Sequence, residues 1–150
     1  LTTTLLEVLI KKNEKNVVFV PMAIGKHRNH LLVYDFFQDV KHLLDIKIVF
    51  YEDVPYINYD KNRVLRLNEL KDQNLINIRY KMTKVALELK YKMVVFYKSQ
   101  LKQDPFEFDE IRKYCLNAGG ELYESFWLYN NDGSKARSCL CMQSLLDDID

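Results

Sequence analysis

Two short apolar runs, Val17 to Val20 and Ile46 to Tyr51, constrain this chain more than any other feature, because each is rich in β-branched and aromatic residues. Neither shows the clean alternation of a strand with one wet face, so both read as strands buried on both faces. Between them Pro21 and Gly25 break the chain into a loop. From about Arg28 the residues Leu31, Leu32, Phe36, Val40, Leu43 and Leu44 then recur at helical spacing. Ahead of the first run, Thr2, Thr3 and Thr4 can cap a helix that carries Leu5, Leu6, Leu9 and Ile10 on one face and ends near Asn13. Helix, strand, helix, strand implies a right-handed crossover. The expected class is therefore α/β: a partial Rossmann-like, largely parallel sheet with flanking helices.

Downstream, Glu52 to Tyr59 is a polar, proline-bearing loop rich in tyrosine, at a strand end where ligand sites of parallel sheets sit. Leu65 to Leu70 reads as a short helix and Leu75 to Met82 as an exposed strand. A longer amphipathic helix is expected over about Lys84 to Lys102, with Val85, Leu89, Met93, Phe96 and Tyr97 close to one face. Asp104 and Pro105 stop it. Phe108 to Cys115 gives another short helix, Gly119 and Gly120 turn the chain, and Glu121 to Tyr129 is extended. One domain is expected over residues 1–129, with a poorly ordered tail over 130–150.

The charge balance excludes some functions. With 22 basic and 21 acidic residues, no overall field draws the chain to nucleic acid or an acidic membrane. The lysines between Lys81 and Lys102 that lie near tyrosines and Phe96 read as the solvated face of a helix. No apolar run approaches the roughly 18–20 residues of a membrane helix. Lysines follow the first apolar stretch instead of preceding it, which is the wrong order for a secretory signal; the expected location is the cytoplasm. The chain opens on Leu1, leaving open a longer product. Cys115, Cys139 and Cys141 match no disulfide framework and read as reduced thiols.

The chemistry concentrates in Gly25-Lys26-His27-Arg28-Asn29-His30, between a strand and a helix. His27 and His30 are three residues apart and share a helix face if the helix has begun there. A helix N-terminus disfavours an imidazolium and favours the neutral ring that binds metal or donates a hydrogen bond. Glu52 and Asp53 read either as loop acids solvating a turn or as carboxylates approaching His27. Tyr51, Tyr56 and Tyr59 either pack or stack on a sugar ring.

The stretch Val20-Pro21-Met22-Ala23-Ile24-Gly25-Lys26-His27-Arg28-Asn29-His30 resembles the second signature of the PIG-L/LmbE zinc-dependent N-acetylglucosaminyl deacetylases: a strand, a proline-glycine loop and His-x-Asp-His. Phe50-Tyr51-Glu52-Asp53-Val54-Pro55-Tyr56 looks like that family's strand-end loop. Tyr97-Lys98-Ser99-Gln100 looks like its helix motif and Glu124-Ser125-Phe126-Trp127 like its closing segment. The similarity spans about Asn16 to Leu128, the C-terminal portion of the family's domain.

The resemblance implies that His30 is a zinc ligand, that His27 polarises the substrate amide or stabilises the oxyanion, and that Tyr51, Glu52, Asp53 and Tyr56 shape the substrate cleft. The substrate implied is an N-acetylated sugar or glycoconjugate. Two departures bear on activity. Asn29 stands where the family has a carboxylate, and an amide can orient a neighbour but brings no charge. The family's His-Pro-Asp-Asp motif, with its other two zinc ligands and general base, does not occur here, whereas catalytic zinc takes three protein ligands and a water. The chain alone is therefore expected to hold zinc weakly and to be inactive, unless a complementing N-terminal polypeptide or a homo-oligomer completes the site. The alternative is a non-catalytic sugar-binding or assembly module.

Overall fold

A computed structural model describes residues 16–42, 46–53, 60–96, 108–116 and 119–130. The expected N-terminal helix, the loop through Tyr56 and Tyr59, the Tyr97-Lys98-Ser99-Gln100 motif, and Cys139, Cys141 and the tail from residue 131 lie outside them. The described elements are β1 (Asn16–Pro21), α1 (Arg28–Val40), β2 (Ile46–Tyr51), α2 (Asp60–Glu69) with a following 3-10 turn (Lys71–Gln73), β3 (Leu75–Lys81), α3 (Lys84–Phe96), α4 (Phe108–Cys115) and β4 (Tyr123–Tyr129).

These elements form an α/β fold with one four-stranded sheet in the order β1-β2-β4-β3. β1 and β2 pair in parallel from Asn16↔Ile46 to Pro21↔Tyr51, as the helical crossover between them requires. β4 is antiparallel both to β2, at Phe50↔Trp127 and Tyr51↔Phe126, and to β3, from Leu75↔Tyr129 to Lys81↔Tyr123. The expectation of a largely parallel sheet thus holds for strand direction but not for pairing. β1, β2 and β3 point one way, and the reversed β4 is inserted between β2 and β3, making the sheet mixed. The reversal follows from the approach of the chain: Leu116 bridges Leu122 across the glycine turn, and Met82 N–H donates to the Leu122 carbonyl at 2.8 Å, so β4 starts beside the end of β3.

Alternation along the strands divides the apolar residues between two faces. On one face Val18, Val20, Ile48, Phe50, Trp127 and Tyr129 meet Leu31, Tyr34, Phe37 and Val40 of α1, which recur at helical spacing. On the other face Val17, Val49, Ile76, Ile78, Phe126 and Leu128 form a second cluster, drawn among the described residues from strands alone. Phe19 belongs to that side, with its ring edge-on to Phe126 at 6.0 Å and 49% of its surface exposed. The reading of β1 as buried on both faces is therefore corrected. β1 is an edge strand of the described sheet, and an edge position leaves one side of a large ring open. Among the described residues no helix is long and apolar enough to cross a membrane.

α3 shows where periodicity misleads. The face anticipated as its apolar side, with Val85, Leu89, Met93 and Phe96, is exposed. The opposite stripe turns inward, where Leu87, Tyr91 and Val94 pack with Ile111 and Cys115 of α4. Lys90, on the same inward side, pairs with Glu124 of β4. Both faces of this helix are apolar, so spacing alone does not choose between them. We expect Leu87→Ala to destabilise the fold by about 2–5 kcal/mol, and Leu89→Gln to change it by less than about 0.5 kcal/mol, as read from denaturant midpoints. A larger cost at Leu89 than at Leu87 would place α3 the other way round.

Candidate functional site

The site is built on the connection from β1 to α1. Met22, Ala23 and Ile24 are buried after the strand ends. Ala23 (φ 58°) and Lys26 (φ 53°) both adopt the left-handed conformation, which costs a residue with a Cβ roughly 1–2 kcal/mol. Gly25, the residue best suited to that conformation, is not among those with positive φ. Strain of this kind persists where surroundings over-determine the backbone, and here they do. Met22 N–H donates to the Tyr51 carbonyl (2.9 Å), and Arg66 Nε donates to the Met22 carbonyl (2.8 Å). Ile24 N–H donates to Asp53 Oδ2 (2.9 Å), and Lys26 pairs with Glu69. Four contacts, from β2, the residues just after it and α2, hold one short loop.

The loop delivers the two histidines. His27 is the N-cap of α1, with extended backbone (φ −61°, ψ 130°), and its carbonyl accepts the Leu31 N–H at 3.0 Å. His30 lies in the first turn. The helix start therefore falls where the rings approach, with centroids 5.3 Å apart and planes tilted by 58°. Asn29, between them in sequence, is exposed on α1. Both histidines follow the C-terminal end of β1, in the parallel pair β1 and β2, and His30 stands beside Asp53. His30 Nδ1 lies 3.1 Å from Asp53 Oδ2.

The remaining predicted residues divide in two. Tyr51 is half-buried at the end of β2, opposite Phe126 in the sheet register; Tyr56 lies outside the described residues. Glu52 is 2% exposed, and its carboxylate is surrounded by donors. Arg63 grips it in a fork, Nε to Oε2 at 2.6 Å and Nη2 to Oε1 at 2.9 Å. The Tyr114 hydroxyl donates to Oε2 at 2.6 Å and Trp127 Nε1 to Oε1 at 2.8 Å. The lone pairs a sugar hydroxyl would use are thus occupied by protein groups. Glu52 joins α2, α4 and β4.

Sequence reasoning passed over Arg63, Arg66 and Tyr114. The spacing Arg63, Arg66, Glu69 on a helix that follows an acidic strand end was the signal to be read, since residues three apart share a helix face. It could not say which acid each arginine would meet.

Tyrosine ionisation responds to this burial. Tyr34 donates to Gln73 Oε1 at 2.6 Å beneath the Arg66 guanidinium, and burial pushes its pKa up to about 12. Tyr114 is raised by burial and then by the neighbouring Glu52 carboxylate, and Tyr129 by burial. A raised folded pKa means that the unfolded chain gives up its proton first. Stability is then complete below the ordinary tyrosine value of 10.0 and declines as pH rises through about 12. We expect denaturant midpoints to fall across that window together with the appearance of tyrosinate absorbance. Tyrosines that titrate normally in the folded chain would contradict it. Burial also raises the Cys115 thiol to about 11, consistent with an inert core thiol.

No group of three histidine, cysteine, aspartate or glutamate side chains able to hold a metal ion occurs among the described residues. The Asp53 oxygen nearest the histidines is turned toward His30 Nδ1 and the Ile24 amide. The described residues thus do not by themselves fit a catalytic zinc.

No protein family and no curated protein matches the chain. Two solved structures do match. One is a triple mutant of a deacetylase involved in the teicoplanin biosynthetic pathway, 22% identical with a TM-score of 0.58, covering 79% of this chain and 52% of that one. The other is a deacetylase of the A40926 pseudoaglycone, 19% identical with a TM-score of 0.60, covering 88% of this chain and 56% of that one. The chain spans about half the length of the structures it matches. At this identity the likeness concerns the backbone: this chain has the α/β fold of part of those two deacetylases.

Proposed function

We propose that this chain carries the C-terminal share of a PIG-L/LmbE-type site for removing acetyl groups from N-acetylated amino sugars or glycoconjugates, and that alone it does not turn over. The observation that carries the proposal is the meeting of His27 and His30, 5.3 Å apart, after the C-terminal end of β1 in the parallel pair β1 and β2. The motif resemblance predicts a working pair at that place. The two structures sharing the fold are named as deacetylases, which supports the same reading.

Amide hydrolysis places negative charge on the carbonyl oxygen, and a preorganised N–H donor stabilises it. His27, the N-cap of α1, is the donor we assign. His30 is this chain's contribution to a zinc site whose other ligands the described residues lack, so we assign no step through the metal. Asn29 brings no charge to either ring. Glu52 shapes the cleft by joining the elements around it. The missing groups would come from a complementing N-terminal polypeptide or a second copy.

Two measurements test the reading. In the first, N-acetylglucosamine is titrated into the labelled chain by NMR. We expect the resonances of His27 and Tyr51 to move and His27→Ala to abolish the shift; perturbations confined to other surfaces would remove the sugar from the proposal. In the second, zinc content and acetate release from an N-acetylglucosamine conjugate are measured on the chain alone. We expect substoichiometric metal and no turnover, and full zinc with turnover would overturn the inactivity.

A further inference from the structure

We infer that Asp53 is a positioning residue that holds His30 in the tautomer with its proton on Nδ1, so that Nε2 carries the lone pair. This rests on the reading of His27 and His30 as the working pair, but its geometry stands by itself. Asp53 is 1% exposed, lies just beyond β2, and is 23 positions from His30 in sequence. Its Oδ2 receives the Ile24 N–H at 2.9 Å and faces His30 Nδ1 at 3.1 Å. The first contact ties the carboxylate to the strained loop, and the second aims it at one ring nitrogen. Its Oδ1 is buried and has no hydrogen-bond partner among the described residues, so both contacts converge on the one oxygen.

A carboxylate only accepts hydrogen bonds. The proton between the two groups therefore belongs to Nδ1, and in a neutral imidazole the lone pair falls to Nε2. The tautomer of a histidine is set by the partner of its other nitrogen. Asn29, the only side chain with a carboxylate-like shape within the His27-x-x-His30 segment, is exposed on α1. Asp53 supplies the carboxylate from across the β1–β2 pair. The consequence, wherever the ring is uncharged, is an Nε2 that accepts and so is unsuited to donating to an oxyanion. His27 and His30 then have complementary polarity within one small site.

The experiment reads the tautomer directly, by long-range nitrogen–proton correlation of the His30 ring in the labelled full chain, at a pH where imidazole is neutral. A hydrogen bond to a charged acceptor should favour the Nδ1–H form by about tenfold or more. In Asp53→Ala that preference should disappear, while the His27 ring keeps its own signature. In Asp53→Asn it should survive, because an amide oxygen can take the same two donors. Nε2–H as the dominant His30 form in the unmodified chain would overturn the inference, as would an unchanged tautomer in Asp53→Ala. If Asp53→Ala does not fold, the unmodified chain and Asp53→Asn still decide. The readout involves neither sugar nor turnover, so it can fail while N-acetylglucosamine still binds at His27, and the reverse.

Discussion

Replacing Glu52 with alanine should lower the free energy of unfolding by about 3–5 kcal/mol, the cost of removing one partner from a buried charged cluster. The carboxylate is almost wholly buried and accepts four hydrogen bonds, two from Arg63 and one each from Tyr114 and Trp127. Without it a guanidinium, a phenol and an indole N–H lose their acceptor together. Groups left unpaired in a low-dielectric interior cost more than the hydrogen bonds contributed. Glu52→Gln should recover only part of the loss, because an amide NH2 would face donors in place of an accepting oxygen. The measurement is a shift in denaturant midpoint at unchanged slope. A cost below about 1 kcal/mol, the range of exposed ion pairs, would show that the cluster does not hold α2, α4 and β4 together.

Phe50→Ala should be comparably damaging, at about 3–5 kcal/mol for a large ring deleted from a packed core. Phe50 has no exposed surface and lies between Tyr34 and Tyr129, each with its ring centroid 5.4 Å away. It thereby joins α1, β2 and β4 in one aromatic stack. It also precedes Glu52 and Asp53 along the same chain segment, so its loss should loosen the acids of the site. Phe50→Leu should cost less, since much of the volume is kept. Thermal denaturation of the two variants checks the order, and a tolerated alanine would contradict the stack.

Phe50 and Glu52, two positions apart, differ in how much of their role is legible in the chain itself. The apolar runs around Val18 and Ile48, with helical spacing between them, indicate strand, helix and strand, and β1, α1 and β2 follow that reading. The burial of Phe50 follows from its run of apolar neighbours. The residues around His27 and His30 point to a loop followed by a helix start, and the rings do meet there. That Glu52 takes four donors does not follow from any nearby pattern, because Trp127 is 75 positions away and Tyr114 is 62.

Sequence by itself determined what depends on neighbours within a few positions: the period of apolar residues, the breaks at Pro21 and at Gly119 and Gly120, and the placing of His27 and His30 about a helix start. Tertiary structure alone decided which of the two apolar stripes of α3 turns inward, where β4 inserts, and that Asp53 turns to His30 while Glu52 turns to Arg63. The physical reason is range. Backbone periodicity is written locally, but a carboxylate is satisfied by whichever donors the packed elements bring within about 3 Å, and those come from segments whose meeting no local pattern encodes.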